Sequence, residues 1–238
     1  MAEIVRLNKF LAERLGISRR EADDAIAAGK VTVDGATAEL GARIEVGTDD
    51  GGSGIDKNPN VCYNGKMVPF EAAYLYVALN KPRGVVCSRR SQSGEPTVYD
   101  LLPEEYRELK TEGRLDKDSS GLILLTNDGD FAFRMTHPRF TKTKIYEVEL
   151  DRALEPLHQQ EIADFGIEIG DGVSKLGLAK LDETRKKWQV TMHEGRNRQI
   201  RRTFGALGYT VVELKRMQFG AYRLDGLEEG GYTKVKAV

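Results

Sequence analysis

Several protein classes need features that this chain lacks. No apolar run approaches the roughly 20 residues that cross a bilayer, and the first residues show no apolar stretch of the kind that forms a signal peptide. The expectation is a cytoplasmic protein with no membrane partner. Cys62 and Cys87 are the only cysteines, too few for a disulfide framework and without metal-ligand spacing. They read as free thiols. The histidines, His137, His158 and His193, are scattered along the chain, so no metal site is expected. Neither a P-loop nor a dinucleotide fingerprint occurs, which argues against nucleotide-dependent chemistry. The single tryptophan, Trp188, is expected to pack on a sheet.

What is present suits a globular protein. At 238 residues, with 40% hydrophobic and 31% charged residues, the chain has room for one large domain or for a medium domain with a small partner. The formal net charge of -1 argues against an unselective polyanion binder. Its distribution says more. Arg185, Lys186, Lys187, Arg196, Arg198, Arg201 and Arg202 cluster against Glu194 alone, with further groups at Lys81, Arg83, Arg89 and Arg90 and at Arg139, Lys142 and Lys144. Acid collects elsewhere, at Glu155, Glu161 and Asp164. Basic segments in a neutral chain suggest a surface for phosphate backbones, the plainer reading being solvated faces with scattered counterions.

The N-terminus reads as two short helices. Leu7, Leu11 and Leu15 form an apolar stripe at i, i+4 and i+8, and Gly16 ends that helix. Ser18 caps the next helix and Glu21 completes a capping box, with Ala22, Ala25 and Ile26 as the buried face and Gly29 as the stop. Arg19 and Arg20 fall in its first turn, against the helix dipole, as an anion bound there would explain. Val31 and Val33 alternate into the turn Asp34-Gly35, and another strand is expected around Arg43 to Val46. A DNA-reading helix-turn-helix is the competing reading of these helices.

From Gly47 to about Ala73 the composition shifts to a connector, with a flexible stretch at Asp49 to Gly54. Within it, a hairpin is expected from Val61–Tyr63 to Lys66–Val68 around Asn64-Gly65. Tyr74 to Leu79 reads as a buried strand stopped by Lys81-Pro82-Arg83-Gly84, and Val85 to Cys87 as the start of another. Two domains are expected, 1–70 and 71–238.

The segment GRLDKDSSGLILLTNDG, Gly113 to Gly129, carries the chemistry-bearing candidate. Leu122 to Leu125 has the bulk of a buried strand, and Asn127, Asp128 and Gly129 supply turn chemistry after it. Asp116 thus sits on an irregular segment that feeds a rigid element, the mount a working carboxylate needs. An ordinary salt-bridged surface aspartate has the same local pattern. Asp118, two positions on, raises the idea of a paired-carboxylate glycosidase, but nothing else supports it, and Asp118 reads as a turn or ion-pair residue.

Residues Arg6 to Gly35, RLNKFLAERLGISRREADDAIAAGKVTVDG, resemble the RNA-binding alpha-L module first described in a small-subunit ribosomal protein. The resemblance implies docking to structured RNA, with Arg6, Lys9, Arg19, Arg20 and Lys30 as phosphate contacts. Further on, LNKPRGVV (Leu79 to Val86), the Asp116 segment, KIYEVEL (Lys144 to Leu150) and EGRNRQIRR (Glu194 to Arg202) follow in order. Together they resemble the pseudouridine synthases, specifically the RsuA-type branch that modifies bacterial ribosomal RNA.

That resemblance implies an α+β fold, a small alpha-L module followed by a catalytic domain with a mixed, mainly antiparallel sheet flanked by helices. It implies isomerisation of uridine to pseudouridine in ribosomal RNA or an assembling ribosomal subunit, by a monomer. The glycosidic bond breaks, the base turns, and the bond reforms at ring carbon 5. Such a redox-neutral rearrangement consumes no second substrate, so no cofactor is expected. The resemblance makes Asp116 the catalytic residue, attacking the anomeric carbon, attacking ring carbon 6, or starting glycal formation. It makes Tyr146 the residue stacked on the flipped uracil and an acceptor for the carbon-5 proton, although an ordinary strand tyrosine fits KIYEVEL as well. Arg201 is implied as the ion-pair partner of Asp116, Arg114 as the base-displacing residue, and Leu214, in LKRMQFG, as an apolar floor. Arg196 and Arg198 are implied as phosphate or pocket-wall residues and Lys81 as a substrate contact. Ser119 departs from the family by standing where threonine is frequent. The rival from another class is a noncatalytic ribosome-assembly protein built on the same domains.

Overall fold

Helix α1 (Leu7–Leu15) follows directly from strand β1 (Ala2–Arg6) and ends at Gly16, whose left-handed φ of 70° a glycine adopts without strain. Ser18 opens helix α2 (Arg19–Ala27) with the expected capping box: the Glu21 amide donates to the Ser18 hydroxyl, and the Ser18 amide donates to the Glu21 carboxylate. Such a cap stabilises a helix by about 1 kcal/mol. In this computed structural model residues 2–47, 58–70, 74–91 and 93–238 are described. They fall into two compact units, Met1–Tyr74 and Leu75–Val238.

In the first unit, Leu7, Phe10 and Leu11 of α1 and Ala22, Ala25 and Ile26 of α2 share a core with Val31, Ile44, Val61 and Val68. The strands that close it are β2 (Val31–Val33), β3 (Ala36–Thr37), β4 (Arg43–Gly47), β5 (Val61–Tyr63) and β6 (Lys66–Met67). β4 pairs with β1, and a four-stranded antiparallel sheet runs β3-β2-β5-β6. Asp34-Gly35 and Asn64-Gly65, all at positive φ, make its two hairpin turns. This corrects the expected connector: β5 pairs with β2, Val61 is fully buried, and Val68 is nearly so. Val61 and Val68 belong to the core, because an apolar strand beside an open sheet edge is stabilised by burial and hydrogen bonding together. The flexible stretch expected at Asp49 to Gly54 lies outside the described residues.

The second unit is built on a nine-stranded sheet. In chain order its elements are β7 (Tyr76–Lys81), β8 (Lys110–Glu112), β9 (Ser120–Thr126), α3 (Gly129–Thr136), β10 (Lys144–Leu150), α4 (Pro156–Gln160), the small hairpin β11 (Ile167–Glu168) and β12 (Val173–Ser174), β13 (Gly177–Lys180), β14 (Lys187–Met192), α5 (Gln199–Ala206), β15 (Val211–Phe219), β16 (Tyr222–Arg223) and β17 (Tyr232–Lys234). The strand order is β13-β14-β10-β15-β9-β7-β17, with β8 alongside β9 and β16 alongside β15. Every pairing is antiparallel except β15 with β9. The sheet is thus mixed and mainly antiparallel.

The apolar run of β9 is explained by burial on both faces. Ile123 and Leu125 pack with Val77, Leu79, Val98 and Leu102, while Leu122 and Leu124 pack on the other side with Phe131, Met135 and Phe219. Trp188 is fully buried in a third cluster with Val148 and Phe204, its ring N–H donating to the Arg185 carbonyl at 2.7 Å. Two local expectations are corrected. Val85–Cys87 does not begin a strand; a single bridge joins Val86 to Thr97, because the chain turns away after Gly84 at φ 85°. Asp128 does more than close a turn, since its carboxylate accepts from the amides of Asp130 and Phe131 and caps α3.

Gly121 decides where the parallel pair can form. Its φ is 104°, and a Cβ built there would lie 2.3 Å from the carbonyl oxygen of Arg216. Only a glycine admits so close a backbone approach. As a result the segment before β9 lies beside the middle of β15.

Candidate active site

Asp116 sits on the turn between β8 and β9, and the turn is pinned along its length. The Ser119 amide donates to the Asp116 carbonyl at 3.0 Å, the Gly84 amide to the Lys117 carbonyl at 2.7 Å, and the Leu115 amide to Cys87 Sγ at 3.4 Å. Lys117 is paired with Glu95 at 3.1 Å. The carboxylate of Asp116 is half-exposed and borders a cavity of about 530 Å³, a size suited to a nucleoside.

Several elements line this cavity. Tyr146 enters from β10, Met192 from the end of β14, and Leu214 and Arg216 from β15. Tyr146 and Leu214 are buried. Alternation along β15 puts Leu214 and Arg216 on one face, and Tyr146 is the cross-strand neighbour of Arg216. Arg114 and Lys144 stand at other parts of the wall. Burial lowers the pKa of Lys144, the nearby Arg216 lowers it further, and its ammonium donates to the Glu194 carbonyl at 3.0 Å.

The arginine beside Asp116 is a correction to the sequence reading. Arg201 was expected there, but Arg198 Nη1 makes the contact, 3.4 Å from Asp116 Oδ2. Arg198 opens α5 in a left-handed conformation, φ 47° and ψ 32°, which swings its side chain toward the Asp116 turn. Arg201, one turn into α5, donates instead to the carbonyls of Val211 at 2.7 Å and Asp118 at 2.9 Å, with its Nε 3.3 Å from the Asp118 carboxylate. Asp118 therefore joins both arginines, and the hydrogen bonds from Arg198 hold its pKa below the usual aspartate value. Burial draws the pKa of Arg201 down, while Asp118 and Asp116 draw it up; an arginine remains charged throughout.

Lys81 is the second correction. It is fully buried, its ammonium donating at 2.8 Å to the carbonyls of both Pro82 and Val85. Burial lowers its pKa against the opposing pull of Cys87, Asp118 and Asp116. It clamps the turn that supports Asp116 and presents no surface to a substrate. The basic groups are also less available than their sequence suggests. Arg196, at the cavity wall, is engaged by the Val173 carbonyl, Asp171 and Glu194. Arg202 is held by Ile169 and Asp171, and Arg185 by Leu154 and Gln159. Arg114 is exposed at the cavity rim.

In the first unit Arg6, Arg19, Arg20 and Lys30 are exposed. Arg6 precedes α1 and lies opposite Arg43 across the β1–β4 pair. Arg19 and Arg20 occupy the first turn of α2. Lys9 lies 3.8 Å from Glu13, one helical turn on.

Comparison with known proteins decides the family. A family model described as RNA pseudouridylate synthase matches residues 75–206, more than half of the chain, and an S4 domain model matches residues 5–50. This chain belongs to the RNA pseudouridylate synthase family. As an RNA pseudouridine synthase it is an isomerase that converts uridine to pseudouridine. Among its relatives, the ribosomal large subunit pseudouridine synthase B of Bacillus subtilis (strain 168) is 36% identical over 94% of this chain and 89% of its own length. The ribosomal small subunit pseudouridine synthase A of Pasteurella multocida (strain Pm70) is 35% identical over 98% of this chain and 97% of its own. A crystal structure of a pseudouridylate synthase superimposes with a TM-score of 0.66 at 32% identity, covering 98% of this chain and 96% of that one.

Sequence reasoning about this pseudouridine synthase missed Arg216 as a cavity residue. A signal was available: Arg216 stands two positions after Leu214 in a strand, hence on the face already expected to form the floor.

Proposed function

We propose that this chain isomerises a specific uridine of ribosomal RNA to pseudouridine and that Asp116 starts the reaction. The observation that carries this is the placement of Asp116, on a pinned turn at the edge of a nucleoside-sized cavity lined by Tyr146 and Leu214. Ribosomal RNA as substrate is supported by the names of the similar synthases from Bacillus subtilis and Pasteurella multocida. No helix among the described residues is long and apolar enough to cross a membrane. The proposed enzyme acts as a monomer in the cytoplasm.

A fixed carboxylate does not reach a stacked uridine, so the nucleotide must turn out of its helix into the cavity. Tyr146 then stacks on the uracil over the Leu214 floor, and Arg114, exposed at the rim, takes the space the base leaves. Asp116 acts at the anomeric carbon, at ring carbon 6, or as the base that begins glycal formation. Arg198 is the cation in contact with it, and Arg201 braces the Asp118 turn from α5. No step transfers electrons to or from the protein, so the residues themselves suffice. The S4-like unit docks structured RNA through Arg6, Lys9, Arg19, Arg20 and Lys30, and Arg196 lines the RNA path.

The test is turnover of transcribed small- and large-subunit ribosomal RNA by the purified chain, with pseudouridines mapped afterwards. One new site is expected with the wild type and none with Asp116→Asn. Normal turnover by Asp116→Asn would sink the assignment of the initiating residue.

A further inference from the structure

Arg216 is a charged side chain in an unusual position. It is 2% exposed, yet it borders the cavity beside Tyr146. Its Nε donates to the Leu122 carbonyl at 2.7 Å, and its guanidinium carbon lies 4.9 Å from the centre of the Phe219 ring. These contacts fix the plane of the group. Its Nη2 is buried and has no hydrogen-bond partner among the described residues. Ser119, whose Oγ is a second buried polar atom without a partner among those residues, borders the same cavity. Leaving a buried polar atom unpaired is costly, the more so in a charged group, and two side chains with such atoms at the wall of one cavity point to a polar ligand edge that engages them.

We infer that Arg216 is a further catalytic residue, its guanidinium donating to a carbonyl oxygen of the flipped uracil and stabilising the charge that develops there. The inference rests on the pseudouridylation reading above. Its chemistry follows from the reaction. When the bond from the sugar to N1 breaks, its electron pair stays on the base and spreads onto the ring carbonyl oxygens. When the bond to carbon 5 forms, that pair returns, carbon 5 loses its proton and N1 gains one, so the base is only isomerised. A fixed donor in a dry site acts most strongly where charge appears transiently. Guanidinium suits the task because it is always protonated and directional. A contact to the oxygen on ring carbon 4 would also favour uracil over cytosine, whose amino group at that position would turn a donor toward a donor. The neighbouring Lys144, its pKa lowered by burial and by Arg216, adds positive potential to the same wall.

The experiment is a cycle that combines protein and substrate changes. Wild type, Arg216→Met and Arg216→Lys are given ribosomal RNA transcripts carrying sparse 2-thiouridine or 4-thiouridine, because sulfur accepts hydrogen bonds more weakly than oxygen. Single-turnover conversion of the thio base relative to uridine is read at the mapped site. Each ratio is internal to one enzyme preparation, so partial unfolding of a variant cancels. On uridine, Arg216→Met is expected to lose roughly 100-fold in rate at saturating RNA, the size of effect seen when one such donor is removed, with RNA affinity unchanged. For one of the two thio positions the wild type should discriminate and Arg216→Met should not. Equal discrimination by wild type and Arg216→Met at both positions overturns the role of Arg216, as does an undiminished uridine rate. A wild type inert on every ribosomal RNA overturns the pseudouridylation reading itself, and this inference with it.

Discussion

Asp118 holds Arg198 more closely than Asp116 does: its oxygens lie 3.0 and 2.9 Å from Arg198 Nη1 and Nη2, whereas Asp116 Oδ2 lies 3.4 Å from Nη1. The fork-to-carboxylate arrangement is the directional form of this interaction. It fixes the guanidinium in place and, among the described residues, leaves the Asp116 carboxylate with one longer ion-pair contact. The aspartate that looked like an ion-pair residue in the sequence is therefore the anchor that sets the cation beside Asp116.

Replacing that anchor should affect rate more than stability. Asp118→Ala is expected to lower single-turnover conversion about 10- to 100-fold, the cost of misplacing a group by about an ångström. The pair is about two-fifths exposed, so stability should change by no more than about 1 kcal/mol. Rate and melting temperature measured on one preparation check both. A large fall in stability with unchanged rate would contradict this account.

Gly121→Ala should be among the most damaging small substitutions. It combines a φ of 104° with a Cβ 2.3 Å from the Arg216 carbonyl oxygen, so either the strand pair separates or the backbone strains. A loss of about 3 kcal/mol or more is expected, together with loss of turnover, because the Asp116 turn and the cavity wall are joined there. Urea unfolding followed by an activity assay reads the two effects.

Glu112 should make stability depend on pH. It is 3% exposed on β8, and burial raises its pKa from 4.5 to about 7, with Asp128 adding to the rise. Between those values the folded protein binds more protons than the unfolded chain, so stability falls as pH rises from about 4.5 to about 7. The full penalty, about 3 kcal/mol as an upper bound, is present above pH 7. Glu112→Gln is expected to raise the melting temperature at pH 8 and leave it unchanged near pH 4. An equal shift at both pH values would refute the buried-carboxylate explanation.

Lys81→Ala should distinguish a structural clamp from an RNA contact. Two carbonyls lose their charged donor and a buried stem is removed, so a loss of about 2–4 kcal/mol is expected. The salt dependence of RNA binding should keep its slope, since no phosphate contact is removed. A reduced slope would restore Lys81 to the substrate surface.

The sequence made local features legible and long-range ones only in part. The Ser18–Glu21 capping box, the two hairpin turns and the buried strand at Leu122–Leu125 show in the local pattern of the chain, and each was read correctly. The connector was misread because the pairing of Val61–Tyr63 with Val31–Val33 is decided by a distant sheet edge. The same limit misassigned Arg201. Its spacing within EGRNRQIRR does not reveal that Arg198 takes a left-handed conformation at the start of α5, which selects the side chain that reaches Asp116. Lys81 failed differently: a cation next to Pro82 and Gly84 looks exposed until the strand is seen to be covered on both sides.

The meeting of β9 with β15 also sets an order in time. Leu122 and Arg216 are joined by a hydrogen bond across 94 positions of chain, so closing the cavity requires a long loop to be brought together. During synthesis the first unit, whose strands β1 to β6 pair among themselves, has every partner it needs before β15 exists. The nascent chain thus acquires its RNA-docking unit long before it acquires a working centre, and catalysis begins only when the last third of the polypeptide has been made.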